Sequence, residues 1–193
     1  NLGGGARDAE AMARRLAEGF TERRVDLGRV DDTWFLNVAG FGFDVAVLRR
    51  SLGWRLLRGS AVYLVSAVQE IARFRGVEVD AGGRAARRLM LVFSNGEHFG
   101  GMFHIAPDAR IDDGLLDAIL IDDVSVLRRV PLLLGVLRGT HRAQRAVTQE
   151  RGAAFTLRFN EAPWFEADGE LHRATGRDVE VASVPGALRV VDA

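Results

Sequence analysis

Residues 88–121 read RLMLVFSNGEHFGGMFHIAPDARIDDGLLDAILI, and this stretch decides the predicted fold. Its two ends, 88–94 and 115–121, are apolar runs of the length typical of buried strands. Between them, Gly, Asn and Asp mark turns, and no helix-length periodic segment intervenes. Two strands joined in this way favour antiparallel pairing over the β-α-β repeat of a parallel sheet.

Similar short strands are predicted on both sides of this stretch, with Gly, Asp and Pro between them: 25–30, 34–39, 77–80, 153–159, 164–167, 178–181 and 188–191. Helices are predicted over 9–20, 61–74 and 126–138, and Pro131 predicts a kink or a late start in the last of them. The expected fold class is mainly β (α+β), an antiparallel β-sandwich with two or three packed helices.

The chain is predicted to hold one domain, preceded by a helix that belongs to another. We expect residues 1–22 to hold a helix remaining from an N-terminal domain or from an interdomain connection, and residues 23–193 to form the β-sandwich domain. Residue 1 is Asn, and no basic segment followed by an apolar run indicates a signal peptide.

Composition excludes several classes of function. The 193 residues have a formal net charge of +0, so no global field attracts nucleic acid. All 26 basic residues are arginine and there is no cysteine, which excludes lysine-dependent chemistry, disulfides and thiolate zinc sites. The histidines have no zinc-type spacing and are interpreted as structural or solvent-facing: His98, His104, His141 and His172.

Two acidic clusters could carry chemistry. Residues 112–117, DDGLLD, place three carboxylates at a glycine turn, which suits a hard cation such as Mg²⁺, although Asp-rich turns are also common. Strand alternation places Asp168 and Glu170 on one face, where they could hold a metal or accept a proton. A surface turn would use the same residues.

Two glycine-rich segments are weaker signals. In 40–45, GFGFDV, Val45 replaces the third glycine of a dinucleotide fingerprint, so we predict a tight turn in which glycine supplies unusual dihedral angles. Residues 95–102, NGEHFGGM, could let the backbone approach a ligand closely, or could form a plain hairpin.

The order of these clusters along the chain is more specific than any one of them. They run Phe35-x-Asn37-x-Ala39-Gly40-x-Gly42-x-Asp44, Asn95-Gly96-x(3)-Gly100-Gly101-Met102, Ile105-Ala106-Pro107-x-Ala109-x(2)-Asp112-Asp113-Gly114-Leu115-Leu116-Asp117 and Asp168-Gly169-Glu170. This succession resembles the diacylglycerol kinase family, which includes sphingosine and ceramide kinases. The resemblance covers about residues 25–191, and its third cluster is the most specific.

The resemblance implies a two-domain, ATP-dependent lipid kinase of which this chain is the C-terminal domain. The ATP-binding Gly-Gly-Asp-Gly-Thr motif of the N-terminal domain is absent, so we expect this segment alone to be inactive. By resemblance, Asp168 and Glu170 are catalytic: one takes the proton of the lipid hydroxyl and the other organises ATP and Mg²⁺, with ATP binding assigned to Glu170. Which of them is the base stays open. The implied Mg²⁺ ligands are the Asp113 carboxylate and the carbonyls of Arg110 and Leu115.

The implied partners are a lipid substrate at the membrane surface and the N-terminal nucleotide-binding domain, with no nucleic acid. The oligomeric state is open, and a homodimer is one option, because a sandwich without its partner domain exposes apolar surface. Lipid-binding candidates are Asp44, Phe41 and Phe99, and residues 48–58 mix Arg with Leu and Trp as interfacial segments do. Core packing explains the aromatic residues equally well. The expected location is cytoplasmic with peripheral membrane association.

Two alternatives stay open. One is a non-catalytic β domain that binds lipid or a partner protein. The other is a NAD-kinase-like enzyme with the same architecture, against which the clusters at 112–117 and 168–170 argue.

Overall fold

The structure is a computed structural model that describes residues 17–53, 60–98, 104–137 and 139–192. Eleven strands run β1 Thr21–Val30, β2 Thr33–Phe35, β3 Val38–Gly42, β4 Val77–Ala81, β5 Arg84–Ser94, β6 Leu116–Asp122, β7 Val147–Gly152, β8 Ala154–Phe159, β9 Trp164–Ala167, β10 Glu170–Arg173 and β11 Asp178–Asp192. The helices are α1 Phe43–Ser51, α2 Ser60–Arg73, α3 Val126–Leu137 and a short 3₁₀ turn at His141–Ala143. The predicted helix over 9–20 lies largely outside the described residues.

The strands form one antiparallel sheet in the order β10-β9-β3-β5-β4-β8-β11-β1-β2, with β6 and β7 off this path. The long strand β5 makes this possible, because β4 and β3 pair with its two halves along one edge and β6 pairs along the other. The sheet therefore branches at β5 and curls around its own apolar face. The prediction of a mainly β, antiparallel fold with packed helices is confirmed.

Both faces of the central strands are buried, which explains their continuous apolar sequence. On β5, Leu91 and Phe93 point into the curl, where they pack against β3, β6, β8 and β9. Met90 and Val92 point to the other face, which is covered by α1, α3 and the loop at Ile105. The period of two places alternate residues in two separate apolar cores.

The fold departs from the predicted elements in several places. The predicted strand 34–39 is two strands, and the strands at 178–181 and 188–191 are one continuous β11. β7 and β10 are polar and were not predicted. The helix α3 begins at Val126 and contains Pro131, so the late start that the proline allowed does not occur.

The segment GFGFD is a strand-to-helix junction rather than a tight turn. β3 continues to Gly42, and α1, which was not predicted, begins at Phe43. Gly42 has φ 107°, and a Cβ there would lie 2.7 Å from the carbonyl oxygen of Leu89, so glycine is needed for both reasons. The expected unusual dihedral angle is thus confirmed, while the expected turn is wrong.

None of the helices in the described part of the chain combines the length and the apolar character needed to cross a bilayer.

Candidate active site

The turn between β9 and β10 carries the predicted acidic pair. Asp168 adopts φ 49° at this turn, and its backbone N–H donates to the carbonyl of Val38 over 2.9 Å. Its carboxylate accepts three further backbone N–H bonds, from Leu36 at 2.6 Å, Asn37 at 2.9 Å and Val38 at 3.0 Å. These bonds explain the break in the predicted strand 34–39, because the N–H groups there bond to Asp168 instead of to a neighbouring strand.

Glu170 stands two residues further on, at the start of β10. Its side chain is exposed and makes no hydrogen bond or ion pair to any residue in the described ranges. The two predicted catalytic carboxylates therefore differ in availability. Both oxygens of Asp168 are occupied by backbone donors, whereas those of Glu170 have no partner in the described part of the chain.

A second carboxylate pair lies beneath this turn, buried against β3. Gly40 pairs with Glu166 across β3 and β9, and α1 brings Asp44 to the same place. A Cβ on Gly40 would overlap Asp44 Oδ2 and lie 3.2 Å from Glu166 Oε1, so the absent side chain leaves room for both carboxyl groups. Asp44 and Glu166 are 8% and 2% exposed.

The buried pair is protonated more readily than ordinary carboxyl groups. Burial raises the pKa of Asp44 to about 7. Burial, and then the nearby charge of Asp44, raises the pKa of Glu166 to about 8. Near neutral pH the two carboxyl groups thus titrate together, and burial favours their protonated forms.

Glu166 connects the buried pair to the exposed turn, because its Oε2 accepts the N–H of Gly169 over 2.8 Å. Asp44 was predicted as a substrate-binding residue, and it lies in this pair. Glu166 was not predicted at all. The available signal was a single carboxylate inside the apolar strand Trp164–Ala167, with a glycine as its partner on the neighbouring strand.

The second predicted acidic cluster lies at the turn before β6. Asp113 Oδ1 accepts the N–H of Leu115 at 3.1 Å, and Oδ2 forms an ion pair with Arg151 of β7. Arg151 also lies 3.4 Å from the buried Asp117. One carboxylate and two backbone carbonyls are donors that Mg²⁺ accepts, so Arg110, Asp113 and Leu115 fit this ion by donor type. In this arrangement, however, Arg151 already balances the charge of Asp113.

Asp26 holds that turn in place and was not predicted. This buried residue of β1 accepts the N–H of Gly114 at 2.6 Å and that of Gly186 at 2.7 Å, and its own N–H donates to Ile111 at 2.7 Å. A lone carboxylate in the strand VDLGRV was the sequence signal for this role.

The four sequence clusters meet through two asparagines. The amide of the buried Asn95 donates to the carbonyls of Asp26 at 2.9 Å and Leu36 at 2.8 Å. The backbone N–H of Asn95 donates to the carbonyl of Asn37 at 2.8 Å. A continuous hydrogen-bonded path thus runs from Asp168 through Leu36, Asn37 and Asn95 to Asp26 and the turn at Gly114.

The candidate lipid-binding residues have different surroundings. Phe41 packs in the core with Phe93, Phe159 and Phe165, and it also lines an open cleft of about 350 Å³. At the rim of the cleft, Trp164 is flanked by guanidinium groups of Arg49 at 5.0 Å and Arg173 at 5.7 Å. Phe99 and residues 54–58 of the predicted interfacial segment lie outside the described residues.

Comparison with known proteins identifies the fold. The family model described as the YegS C-terminal NAD kinase beta sandwich-like domain matches residues 37–192. The chain belongs to this family. Because the match begins at residue 37, the predicted domain boundary at residues 22 and 23 stays a prediction.

Curated proteins that are similar to this chain have names from the lipid kinase family that the motifs predicted. A protein of Mycobacterium tuberculosis named diacylglycerol kinase is 29% identical over 96% of this chain and 62% of its own length. A Pseudomonas aeruginosa protein named probable lipid kinase YegS-like is 32% identical over 88% of this chain and 57% of its own length. The membership of this YegS-type domain in the diacylglycerol kinase family is confirmed, and the chain spans under two thirds of these relatives.

A solved structure agrees on the fold. The crystal structure of a diacylglycerol kinase from Bacillus anthracis superposes with a TM-score of 0.61 at 16% identity, covering 97% of this chain and 60% of that one.

Proposed function

We propose that the full-length protein transfers the γ-phosphate of ATP to a hydroxyl group of a lipid, and that this YegS-type domain supplies the acidic group next to that hydroxyl. Family membership supports the lipid kinase class. The hydrogen-bonded path that joins Asp168, Asn37, Asn95 and the turn at Gly114 carries the proposal for this chain, because it links all four motifs around one exposed acidic turn.

Within that turn we assign the two carboxylates different roles. Glu170 accepts the proton of the lipid hydroxyl as that oxygen attacks the γ-phosphorus and the bond to the β-phosphate oxygen breaks. Asp168 positions Glu170, since its own oxygens already accept three backbone N–H bonds. Phosphoryl transfer needs little covalent work from a protein, so one well-placed base and charge compensation are sufficient equipment.

Magnesium belongs to the proposal as well. Asp113 with the carbonyls of Arg110 and Leu115 would hold one ion, which would stiffen the turn that Asp26 fastens to β1. The ion pair between Asp113 and Arg151 opposes this, so Arg151 must share or leave the carboxylate when the ion binds. ATP itself is expected to bind mainly to the N-terminal domain, with Glu170 facing its phosphate end.

The open cleft beside Phe41 is the proposed lipid site. Aromatic residues, among them Phe41 and Trp164, line its wall. The guanidinium groups of Arg49 and Arg173 lie against the Trp164 indole. Apolar walls suit acyl chains, and guanidinium groups at a rim suit anionic headgroups at a membrane surface.

The test compares the full-length protein with Glu170→Gln, Asp168→Asn and the control Glu180→Gln. The exposed side chain of Glu180 lies on β11 and, within the described residues, pairs with Arg29 of β1. Each is assayed with ATP and Mg²⁺ on diacylglycerol, sphingosine and ceramide in mixed micelles. Glu170→Gln should lower kcat by about 10²- to 10⁴-fold with little change in the KM for ATP, and the control should match the wild type.

The outcomes separate the alternatives. Normal kcat in folded Glu170→Gln, with activity lost in folded Asp168→Asn, would transfer the base role to Asp168. Absence of any phosphorylated lipid from the folded wild-type protein would favour the non-catalytic binding domain.

A further inference from the structure

Three side chains outside the acidic turn converge near the end of β5. Glu97 Oε2 lies 3.7 Å from His104 Nε2 and 3.9 Å from His98 Nδ1, and all three atoms lie within 4.8 Å of one another. The two imidazole rings are stacked, with centroids 4.6 Å apart and planes 12° from parallel. Two nitrogens and one carboxylate oxygen therefore face a common point.

The two imidazole nitrogens that face this point have no hydrogen-bond partner among the described residues. His98 Nδ1 and His104 Nε2 are buried atoms with no hydrogen-bond partner among the described residues, although the side chains as wholes are 31% and 39% exposed. Their separations from Glu97 are too long for hydrogen bonds. Buried polar atoms without partners are uncommon, and one explanation that structural chemistry offers is an ion.

The backbone that carries these side chains is anchored. The carbonyl of His98 accepts from the Asn37 amide, and the carbonyl of Glu97 accepts the N–H of Ala106 at 3.2 Å. Gly139 packs against His104, where a Cβ would lie 3.4 Å from Nδ1. These contacts hold the three side chains close to one another, and a held backbone is part of the preorganisation that a metal site requires.

We propose that Glu97, His98 and His104 bind a divalent transition-metal ion, with Zn²⁺ as the representative, through two imidazole nitrogens and one carboxylate oxygen. Donors about 2.1 Å from a tetrahedral zinc lie about 3.4 Å apart, so the cluster contracts slightly and the rings rotate out of their stack. Water completes the coordination. The donor set separates this site from the all-oxygen turn at Asp113, because imidazole favours zinc, nickel or copper over magnesium.

Metal binding at this site would also restrict the motion of the acidic turn at Asp168, through hydrogen bonds of Asn37. Asn37 donates to the carbonyl of His98 through its side chain and to Asp168 through its backbone. An ion that immobilises His98 therefore stiffens the loop to which Asp168 is bonded. The binding itself does not depend on the proposed lipid kinase activity.

The test is titration of the metal-free, full-length protein with Zn²⁺ by calorimetry and with Co²⁺ by visible absorption. Glu97→Gln and His104→Ala should each weaken Zn²⁺ binding by about tenfold or more and remove the Co²⁺ band. The control is His172→Asn, because His172 is a half-buried histidine that stacks on Phe165 outside the cluster, and its titration should match the wild type.

Circular dichroism of each variant separates loss of the site from loss of the fold, and Glu97→Gln keeps the shape of the side chain. No Zn²⁺ binding by the wild type, or equal Zn²⁺ affinity in the wild type and folded Glu97→Gln and His104→Ala, would overturn the proposal.

Discussion

The two Asp-Gly turns of this domain have similar sequences and opposite environments. At Asp168-Gly169, the carboxylate is held by backbone N–H groups, and the exposed carboxylate that follows, Glu170, has no partner among the described residues. At Asp113-Gly114, the carboxylate is neutralised by Arg151 and the turn is tied down by Asp26. At the first turn the negative charge of Glu170 is available to a ligand, whereas at the second turn the charge of Asp113 is balanced by Arg151. Similar residues therefore serve different purposes, depending on which cation or donor the fold brings to them.

Removing the first carboxylate should have the larger effect on stability. Asp168→Ala leaves three backbone N–H groups without an acceptor, and it places alanine at φ 49°, where a Cβ is unfavourable. We therefore expect a loss of about 3 kcal/mol in the free energy of unfolding. Asp168→Asn should lose less, because asparagine keeps one acceptor oxygen and tolerates positive φ. Urea denaturation measures both. Equal midpoints for wild type and Asp168→Ala would show that these bonds do not hold the turn.

The buried pair beneath Asp168 should make stability depend on pH. The carboxyl groups of Asp44 and Glu166 have ordinary pKa values of 3.8 and 4.5 and folded pKa values of about 7 and about 8. The folded state therefore binds more protons than the unfolded state between these limits, and stability falls as pH rises from about 4.5 to 8.

Glu166→Gln removes one of these titrating groups while its amide oxygen can still accept from Gly169. We expect a higher denaturation midpoint than wild type at pH 8.5, a smaller difference at pH 5 and a shallower pH dependence between them. Glu180→Gln, at an exposed position, should leave the pH dependence unchanged. A wild-type slope that persists in Glu166→Gln would assign the dependence to other groups.

The smallest effect is expected at the second turn. Arg151→Gln breaks the partly exposed ion pair with Asp113 and the contact with the buried Asp117, which still accepts from Gln149, so it should cost about 1–2 kcal/mol, less than Asp168→Ala. It should also free Asp113 for a cation, and millimolar Mg²⁺ should then raise the thermal midpoint more than in wild type. Thermal unfolding with and without Mg²⁺ measures this. The double variant with Asp113→Asn is the control, and an equal Mg²⁺ response there would exclude Asp113 as the ligand.

The strands and the order of the motifs could be predicted because their signals lie within a few neighbouring residues of the sequence. The apolar runs at 88–94 and 115–121 have the period and length of buried strands, and both are strands in the structure. The strand alternation predicted for Asp168 and Glu170 is wrong, because β9 ends at Ala167 and Asp168-Gly169 forms the turn that was its alternative. The helix α1 was missed, because its first residues follow two glycines and resemble a turn.

The residues that each charged side chain contacts could not be predicted from the sequence. Glu166 and Asp44 are 122 residues apart in the chain and meet only because β3 pairs with β9 and α1 follows β3. Arg151 reaches Asp113 through the polar strand β7, which carries almost no sequence signal. Glu97, His98 and His104 lack zinc-type spacing, and only the structure shows that their ligand atoms lie within 4.8 Å of one another.

The sequence by itself determined the fold class, the family and the positions of the acidic turns, because periodicity and turn chemistry act over a few neighbouring residues. Only the tertiary structure decided which carboxylate is free, which is paired and which is buried. Electrostatic environment depends on groups that are distant in the chain, and sheet pairing is what brings those groups within a few ångströms.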